Sequence, residues 1–529
     1  MRLFATVRAG AIAALGAAFL ASHPLAAQQP ASAAPFQVQE ASVASIEAAL
    51  AAHQVTCHAL VDAYLKRIDA YDKQGPDINA IIEINPNALA EADALDAKQR
   101  AGVPLGTLHC IPAIVKDNFE TIGLQSASGS LSLKGFVSDK DAFLVKRMKD
   151  AGAIVLAKSN MAEFAFSPVE TVSSILPGYT HNPYALDRVT AGSSGGTAAA
   201  IAASFGAVGL GSDTGNSIRG PSSHQSLVGI RSTMGLTSRG GVSPLNLLAD
   251  IAGPITRTVA DAAAVFQVIV GEDPTDPVTS RSRGRETPNY LAALKADGLK
   301  GARLGILRAA YERTSADPEI LAVFAEAQKE LIAAGATIID NVAIERVARP
   351  QGAGSCGGFK YDINRYLAGL GDRVPVHSLE EIVKSRQYHP SIETRLQGAL
   401  NGSENGPETP ACQADAAYRA AYGAAITKAM DDQQLDALIY PTWSNVPRLI
   451  GDLNTPGGDN SQVHSPSSGF PAINVPMGFT RNNTLPIGLS LLGRAWSEAT
   501  LFRLAYAYEQ VTHHRHAPAS TPPLPIKRP

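Results

Sequence analysis

Three short segments, far apart in the chain, most constrain how it can fold. Two are rich in serine and glycine, residues 192–196 (GSSGG) and 211–219 (GSDTGNSIR), and the third, residues 115–118 (VKDN), carries Lys116. Together they supply hydroxyl groups, an amine and flexible backbone amides, the groups that attack an amide or ester carbonyl. That chemistry requires a fold that brings Lys116 beside the serines. The segments therefore predict a serine hydrolase.

The composition is that of an ordinary globular chain. Of its 529 residues, 45% are hydrophobic and 18% are charged, which is ample material for a large core. The formal net charge of -3 gives no basic surface for nucleic acid, so we expect no nucleic-acid partner.

The N-terminus has the pattern of a secretory leader. Two arginines precede an apolar run over residues 9–21, and the small residues Ala26 and Ala27 offer a cleavage site. We expect residues 1–27 to be a signal peptide and residues 28–529 to be the mature chain, exported to a periplasm or the medium. The alternative is an uncleaved anchor helix, although the run is short for spanning a bilayer. No stable membrane insertion is expected once the leader is removed.

Export bears on the four cysteines, because an oxidising compartment permits disulfides. Their spacing contains no CxxC pair or Cys/His cluster, so we expect no metal site. A bridge between Cys356 and Cys412, closing the middle of the chain, is one interpretation. The alternative is that all four, Cys57, Cys110, Cys356 and Cys412, are free buried thiols.

Apolar runs alternate with helical patterns along the mature chain. After Thr56, a candidate N-cap, apolar residues recur on one helical face through Ile68. Further helical patterns span residues 143–148 and follow Ser497 through Tyr508. Short apolar runs typical of buried strands lie at 108–115, 154–157, 304–307, 435–439 and 487–492. Strands alternating with helices predict an α/β fold.

The middle of the chain, residues 271–433, differs in character from the rest. It contains an arginine-rich polar stretch at 280–285 and a Gly/Pro/Asn-rich stretch at 401–410. Long connections often carry binding surfaces, so we expect this region to shape substrate specificity. The Pro-rich tail after residue 517 is expected to be loose.

Residues 192–196 also match the G-x-S-x-G elbow of α/β-hydrolases. In that arrangement Ser194 would be the nucleophile, and an aspartate and a histidine further along the chain would complete a triad. The pattern is short and weak by itself, so it competes with other serine mechanisms.

Several ordered motifs resemble those of the amidase signature hydrolases. They lie at 104–118 (PLGTLHCIPAIVKDN), 193–196 (SSGG), 213–219 (DTGNSIR), 468–476 (SGFPAINVP) and 485–489 (LPIGL), over nearly the whole mature chain. The resemblance implies a mixed central β-sheet covered by helices on both sides, the amidase signature fold. It also implies a Ser-cisSer-Lys triad, with Ser217 as nucleophile, Ser193 on a cis peptide as bridging serine and Lys116 as general base.

The resemblance places the donors for the tetrahedral oxygen in the backbone N–H groups of Thr214, Gly215, Asn216 and Ser217. The chain departs from the commonest family pattern at two positions, since Asn216 and Ala191 stand where glycine is usual. Backbone donors need no particular side chain, and asparagine tolerates positive φ better than most residues, so we expect the oxyanion hole to survive. The Asn216 side chain is expected to narrow or polarise the pocket.

A serine hydroxyl needs a base, and an amine acts as one only when it is neutral. We therefore expect Lys116 to be desolvated by the apolar run 111–115, with a pKa lowered from about 10.4 to about 7 or 8. The proton would pass from Ser217 through Ser193 to Lys116. Ser193 would then return it to the leaving amine, giving an acyl-enzyme that water hydrolyses.

Three further residues are expected to support the site. Asp213 and Arg219 flank the nucleophile with opposite charges and predict an ion pair that holds the loop. The alternative is that each is solvated independently. Ser194 is interpreted as a hydrogen-bonding neighbour rather than as a nucleophile.

Three functions remain as hypotheses. The first is an exported amidohydrolase that cleaves a small-molecule amide, with an ester or carbamate as further substrates, and needs neither metal nor organic cofactor. The second is the ammonia-producing component of a tRNA-dependent amidotransferase, against which the leader and the lack of a basic surface argue. The third is a catalytically silent binding protein on the same fold. No heptad pattern points to an oligomeric state, and family resemblance does not fix the substrate.

Overall fold

A mixed β-sheet of eleven strands forms the centre of the structure, a computed structural model that describes residues 36–351, 356–404, 406 and 408–525. The strands are β1 (Ile81–Ile84), β2 (Pro112–Lys116), β3 (Ile154–Ser159), β4 (Val208–Asp213), β5 (Val228–Arg231), β6 (Ile251–Thr256), β7 (Arg303–Ile306), β8 (Thr337–Ile339), β9 (Ala437–Pro441), β10 (Ala472–Thr480) and β11 (Leu485–Leu492). Their order across the sheet is β1-β3-β2-β4-β6-β5-β10-β11-β9-β7-β8. The predicted α/β fold with a mixed central sheet is confirmed.

Helices lie between most of the strands along the described chain. They are α1 (Val43–Ala51), α2 (Cys57–Tyr71), α3 (Ala88–Arg100), α4 (Phe143–Asp150), α5 (Gly195–Ala202), α6 (Arg219–His224), α7 (Val259–Ile269), α8 (Arg308–Tyr311), α9 (Pro318–Ala333), α10 (Phe359–Leu370), α11 (Leu379–Ser385), α12 (Glu393–Leu400), α13 (Pro410–Asp432), α14 (His464–Ser468) and α15 (Glu498–Thr512). Thr56 caps α2 as predicted, since its hydroxyl oxygen accepts the N–H of Ala59 at 3.1 Å. Ser497 precedes α15, but its hydroxyl donates to the carbonyl of Arg494 instead of capping the helix.

The five predicted apolar runs all contain or overlap strands. Four of them correspond to β3, β7, β9 and β11, and the run at 108–115 becomes β2 only from Pro112 onward. The predicted helical patterns correspond to α2, α4 and α15. Strands β1, β4, β5, β6, β8 and β10 were not anticipated from apolar runs.

Strands β2 and β4 position the candidate site. They are adjacent and parallel, with Val115 in register with Leu210, and both strands are buried throughout. Parallel neighbours end at the same edge of a sheet. Lys116, the last residue of β2, is therefore brought close to Ser212 and Asp213 at the end of β4.

Helix α5 follows the serine-glycine motif and is buried along its whole length. A Cβ at Gly195 would lie 2.1 Å from Oγ1 of Thr171, and a Cβ at Gly196 would lie 2.3 Å from the carbonyl oxygen of Asn160. Neither approach leaves room for a side chain. The two glycines are thus required by the close packing of the helix start against its neighbours.

Two disulfides cross-link the chain. Cys356 is bonded to Cys412, as one interpretation proposed, and Cys57 is bonded to Cys110. All four cysteines are paired, so the free-thiol alternative is wrong. The first bridge joins the segment before α10 to the start of α13, and the second joins the start of α2 to the segment before β2.

The middle region, residues 271–433, is more regular than its sequence indicated. It holds β7, β8 and helices α8 to α13. The helices α10 to α12 form a second apolar core, in which the ring of Phe359 lies 5.6 Å from that of Phe164 and 4.7 Å from that of Phe166. The apolar side chains of these helices recur at helical spacing, so each helix has an apolar face that packs into this core. The polar stretches of the region do not prevent this packing.

The tail after residue 517 was expected to be loose, but its described part is bound to the body of the protein. The buried guanidinium of Arg67 in α2 donates to the carbonyls of Thr521 and Pro522, each at 2.8 Å. The prediction of a loose tail was wrong because it rested on the Pro-rich composition. Composition does not show that the main-chain carbonyls of the tail accept hydrogen bonds from a buried arginine elsewhere in the chain.

The predicted signal peptide, residues 1–27, lies outside the described residues. Among the helices that are described, none is long and apolar enough to cross a membrane. Export and cleavage of a leader therefore stay predictions.

Candidate active site

The predicted base and bridging serine are in contact. Lys116 is completely buried, and its Nζ lies 2.7 Å from Oγ of Ser193. Ser212 adds two contacts to the same nitrogen, from its Oγ at 2.9 Å and its carbonyl oxygen at 3.3 Å. The peptide bond between Gly192 and Ser193 is cis, the geometry expected there.

Burial lowers the pKa of Lys116 to about 7, from an ordinary value of 10.5. Desolvation disfavours the ammonium form, and the negative charges of Asp213 and Asp250 oppose this effect without cancelling it. At pH 7, roughly half of the amine is therefore neutral. A neutral amine held against a serine hydroxyl can accept its proton.

Ser217 lies on the loop between β4 and α6, and 5% of its surface is exposed. Its carbonyl accepts the N–H of Ser194 at 3.2 Å, which holds this loop against the serine-glycine motif. Within the described residues, the Ser217 hydroxyl makes no hydrogen bond, and none joins it to Ser193. Hydrogen bonds between catalytic groups often tighten only when substrate binds.

The backbone N–H groups of residues 214–217 have no acceptor in the protein as far as it is described. Other groups hold this loop. The Thr214 hydroxyl donates to the carboxylate of Asp250 at 2.5 Å, and Arg219 donates to the carbonyl of Gly215 at 2.6 Å. Successive unpaired N–H groups beside a hydroxyl are suited to bind an oxyanion.

The carboxylate of Asp213 is held between two buried guanidinium groups. Its oxygens lie 3.2 Å from Nε of Arg219 and 3.1 Å from Nη1 of Arg231. Burial alone would raise the pKa of Asp213, but the two arginines outweigh it and lower the pKa to about 2. The expected ion pair with Arg219 is present and buried, so independent solvation is wrong.

Ser194 is a hydrogen-bonding neighbour in the structure. Its buried hydroxyl donates to the carbonyl of Ser212 at 3.1 Å. In the described chain no histidine is hydrogen-bonded to it, although the G-x-S-x-G elbow would need one. The α/β-hydrolase interpretation is therefore wrong.

The two departures from the family pattern differ in their backbones. Asn216 is buried, and in the described structure neither polar atom of its side chain has a hydrogen-bond partner. It packs on Gly220, where an added Cβ would lie 2.2 Å from its Nδ2. The φ of Asn216 is not positive, so the tolerance of asparagine for positive φ is not needed here. Ala191, in contrast, has a φ of 58°, in the region that favours glycine.

Four supporting residues were missed by the sequence analysis. Asn118 donates to Oγ of Ser212 at 3.0 Å, and so holds the hydroxyl that contacts the lysine. Both residues lie inside the quoted motifs, next to named site residues, which was a usable signal. Arg231 and Asp250 lie outside those motifs and had none.

No described residues form an evident metal site. Within the ranges that the structure covers, no group of three or more His, Cys, Asp or Glu side chains is placed to hold a metal ion. The reacting groups found here are hydroxyls, an amine and backbone N–H groups, which is the set used for acyl transfer through serine.

Comparison with known proteins decides the family. A family model described as Amidase matches residues 59–502. The chain belongs to the amidase family. The resemblance to the amidase signature hydrolases is confirmed, and the protein is an amide-hydrolysing enzyme. The hypothesis of a silent binding protein is not retained.

Relatives of this amidase extend over nearly its full length. It is 35% identical over 491 residues to a subunit of glutamyl-tRNA(Gln) amidotransferase from Myxococcus xanthus, covering 90% of this chain and 98% of that protein. It is 32% identical over 510 residues to a probable amidase from Arabidopsis thaliana, covering 91% and 92%. The X-ray structure of native peptide amidase from Stenotrophomonas maltophilia is 36% identical, with a TM-score of 0.81 and coverage of 90% and 98%.

Proposed function

We propose that this amidase is an exported serine hydrolase that forms an acyl-enzyme on Ser217. One observation carries the proposal. The buried Lys116 amine, with a pKa of about 7, lies 2.7 Å from Ser193 and close to a loop whose N–H groups have no acceptor in the described chain. These observations support Lys116 as the base, Ser193 as the proton carrier and the N–H groups of residues 214–217 as oxyanion donors for an attack by Ser217.

In the proposed acylation step, Oγ of Ser217 attacks the amide carbonyl carbon. The hydroxyl proton moves to Oγ of Ser193, whose own proton moves to the neutral Nζ of Lys116. The carbonyl oxygen becomes an oxyanion and is bound by the N–H groups of residues 214–217. Removing one such donor in a serine hydrolase typically costs about 10² to 10³ in rate.

Collapse of this intermediate breaks the C–N bond. Ser193 gives a proton to the leaving nitrogen and recovers one from Lys116, leaving an ester on Ser217. Water then attacks the ester carbonyl and gives a proton to Ser193, whose own proton moves to Lys116. The bond between the carbonyl carbon and Oγ of Ser217 breaks, Ser193 protonates that Oγ and recovers a proton from Lys116, and the carboxylic acid is released. The cycle returns all three side chains to their starting protonation states.

We propose peptide amides as the substrate class. The relative from S. maltophilia is named a peptide amidase, and this chain is 36% identical to it. For this chain, hydrolysis of an unsubstituted peptide amide would give ammonia and a free peptide carboxylate. Ammonia release is therefore the direct assay.

The triad is tested by alanine substitution with a matched lysine control. Ser217→Ala, Ser193→Ala and Lys116→Ala are each expected to reduce kcat by at least about 10³-fold. Lys146→Ala removes an exposed lysine that pairs with Asp150, and is expected to leave kcat unchanged. Wild-type turnover in folded Ser217→Ala would overturn the proposal, as would equal losses in the Lys146→Ala control.

Export is proposed from the leader pattern, and two disulfides are in keeping with an oxidising compartment. Expression of the full chain in a bacterium with a periplasm, followed by N-terminal sequencing, tests it. We expect a periplasmic protein that begins near Gln28. A cytosolic protein that retains residues 1–27 would contradict export.

A component of a tRNA-dependent amidotransferase is the second candidate, favoured by the 35% identity to the M. xanthus protein. Such a component would depend on partner proteins for full activity. We expect the purified chain to hydrolyse peptide amides alone. Turnover that appears only with co-purifying partner proteins would favour this alternative.

A further inference from the structure

A long groove lies between the middle region, the loop that follows β5 and the segment between α14 and β10. It consists of two cavities of about 550 and 930 Å³ that share Arg239, Leu247, Leu248, Val278 and Arg281 as walls. Tyr361 and Arg365 of α10 line the larger cavity. We call the surface formed by Leu247, Leu248, Val278, Arg281, Tyr361 and Arg365 the arginine groove.

The two polar stretches singled out in the sequence both contribute to this groove. Ser280 and Arg281 come from the arginine-rich stretch, and Thr409 comes from the Gly/Pro/Asn-rich stretch. The disulfide between Cys356 and Cys412 forms part of the same wall. Sequence regions that have no motif of the family thus converge on one surface, which is fixed by a covalent link.

Most charged groups along the groove already have partners. Arg239 pairs with Asp276 at 2.5 Å. Asp415 is buried and pairs with Arg349 at 2.9 Å and with Arg419 at 2.6 Å. These pairs neutralise one another and leave little charge to offer a ligand.

Two guanidinium groups at the rim are not paired with a carboxylate in the described chain. Arg281 is exposed and, within the described residues, its guanidinium makes no hydrogen bond or ion pair. Arg365 is exposed and donates to the hydroxyl of Tyr361 at 2.9 Å, over whose ring it lies at 5.3 Å. The apolar side chains of Leu247 and Val278 line the same cavity. Such a surface fits a peptide segment that carries an acidic side chain.

Two carboxylates in the groove bear on this charge balance. Asp362 is buried, accepts the N–H of Leu247 at 2.8 Å and lines the larger cavity, where its charge interacts with those of Arg239 and Arg365. Glu408 is exposed in the groove wall, and no ion pair of Glu408 is found in the described chain. The negative charge of Glu408 in the same cavity therefore opposes the binding of an acidic side chain near Arg281 and Arg365.

The groove borders the candidate active site. Arg239 and Leu247 also line a cavity of about 10 Å³, room for one water, that reaches Ser212, which contacts Lys116, and Thr214. A substrate bound along the groove therefore lies against the loop that follows β5. Asp250 at the end of this loop accepts hydrogen bonds from the Thr214 hydroxyl and from the N–H of Leu245.

We propose that the arginine groove binds the peptide part of the substrate and that Arg281 and Arg365 select an acidic side chain on it. This inference rests on the proposed peptide-amide hydrolysis. It predicts higher kcat/KM for peptide amides with a glutamate upstream of the amide than for the same peptides with glutamine.

Two series of peptide amides, identical except for Glu or Gln at one upstream position, test the inference. For the best-placed position, the wild-type ratio of kcat/KM is expected to be about tenfold in favour of Glu, at two exposed ion pairs. Arg281→Ala and Arg365→Ala should each lower the ratio about threefold, and the double variant should bring it near one. Glu408→Gln should raise it, because a competing carboxylate is removed.

Arg283→Ala is the matched control. Arg283 lies two residues from Arg281, but it pairs with Glu272 at 2.5 Å and lines a different cavity. Its ratio should equal that of the wild type. The groove proposal would be overturned by a wild-type Glu/Gln ratio near 1 at every position, or by a tenfold ratio that persists in the double variant. Hydrolysis of both peptides would still uphold the proposed function.

If no peptide amide is hydrolysed, the proposed function fails, and binding still tests the groove. Fluorescence anisotropy with a labelled Glu-containing peptide amide then compares the wild type with the Arg281→Ala/Arg365→Ala variant. The groove is supported if the variant binds the peptide about tenfold more weakly than the wild type and if added salt weakens binding by the wild type. Equal binding by both proteins overturns it.

Discussion

The rate of amide hydrolysis should follow the titration of Lys116. Its pKa of about 7, in place of 10.5, means that burial, net of the opposing charges of Asp213 and Asp250, disfavours the ammonium by about 5 kcal/mol, at 1.36 kcal/mol per pKa unit. The neutral fraction is then about 9% at pH 6, about 50% at pH 7 and about 91% at pH 8. Because the neutral amine is the base, kcat/KM should rise about tenfold between pH 6 and pH 8 and then level off.

The assay is ammonia release from a peptide amide without ionisable groups, measured from pH 5 to pH 10 at constant ionic strength. A plateau above about pH 8 agrees with a buried lysine base. A rate that keeps rising about tenfold per pH unit up to pH 10 would mean an ordinary lysine and would refute the reasoning. Lys146→Ala, on the surface, should leave the profile unchanged.

Three further predictions concern the electrostatics, the packing and a disulfide. Asp250→Asn removes a negative charge that raises the pKa of Lys116, so the midpoint of the pH profile of kcat/KM should move below 7. Gly196→Ala forces a Cβ to 2.3 Å from a backbone carbonyl and should lower the thermal unfolding midpoint by several degrees, whereas Gly398→Ala, with nothing within 4 Å, should not lower it. Replacing Cys57 and its disulfide partner by alanine opens a link across 53 residues and should reduce the free energy of urea unfolding by about 4 kcal/mol.

The strands that the sequence revealed are those that contain or overlap a short apolar run. β4 was hidden because it reads VGLGSD, which lacks a continuous apolar run. A Cβ on Gly209 would lie 2.7 Å from Cγ2 of Thr197, and one on Gly211 would lie 2.9 Å from Oγ of Ser194. The small residues are demanded by α5 on the face of the sheet, and that tertiary contact cannot be read from the strand alone.

The candidate site was predictable where its groups lie inside ordered motifs. Lys116 and Ser193 were found in this way, and the structure places them in contact. Arg231 was not found, because its approach to Asp213 depends on β6 lying between β4 and β5 in a particular antiparallel register. Sheet order and register come from packing across the whole domain, so a local pattern does not contain them.

The central claim is that Ser217 is the nucleophile and Lys116 its base. The most direct measurement is labelling of the folded mature protein with a fluorophosphonate, followed by peptide mass mapping of the modified serine. The account predicts an adduct on Ser217 that is lost in Lys116→Ala and kept in Lys146→Ala. An adduct on Ser194, or no adduct on folded active protein, would contradict it.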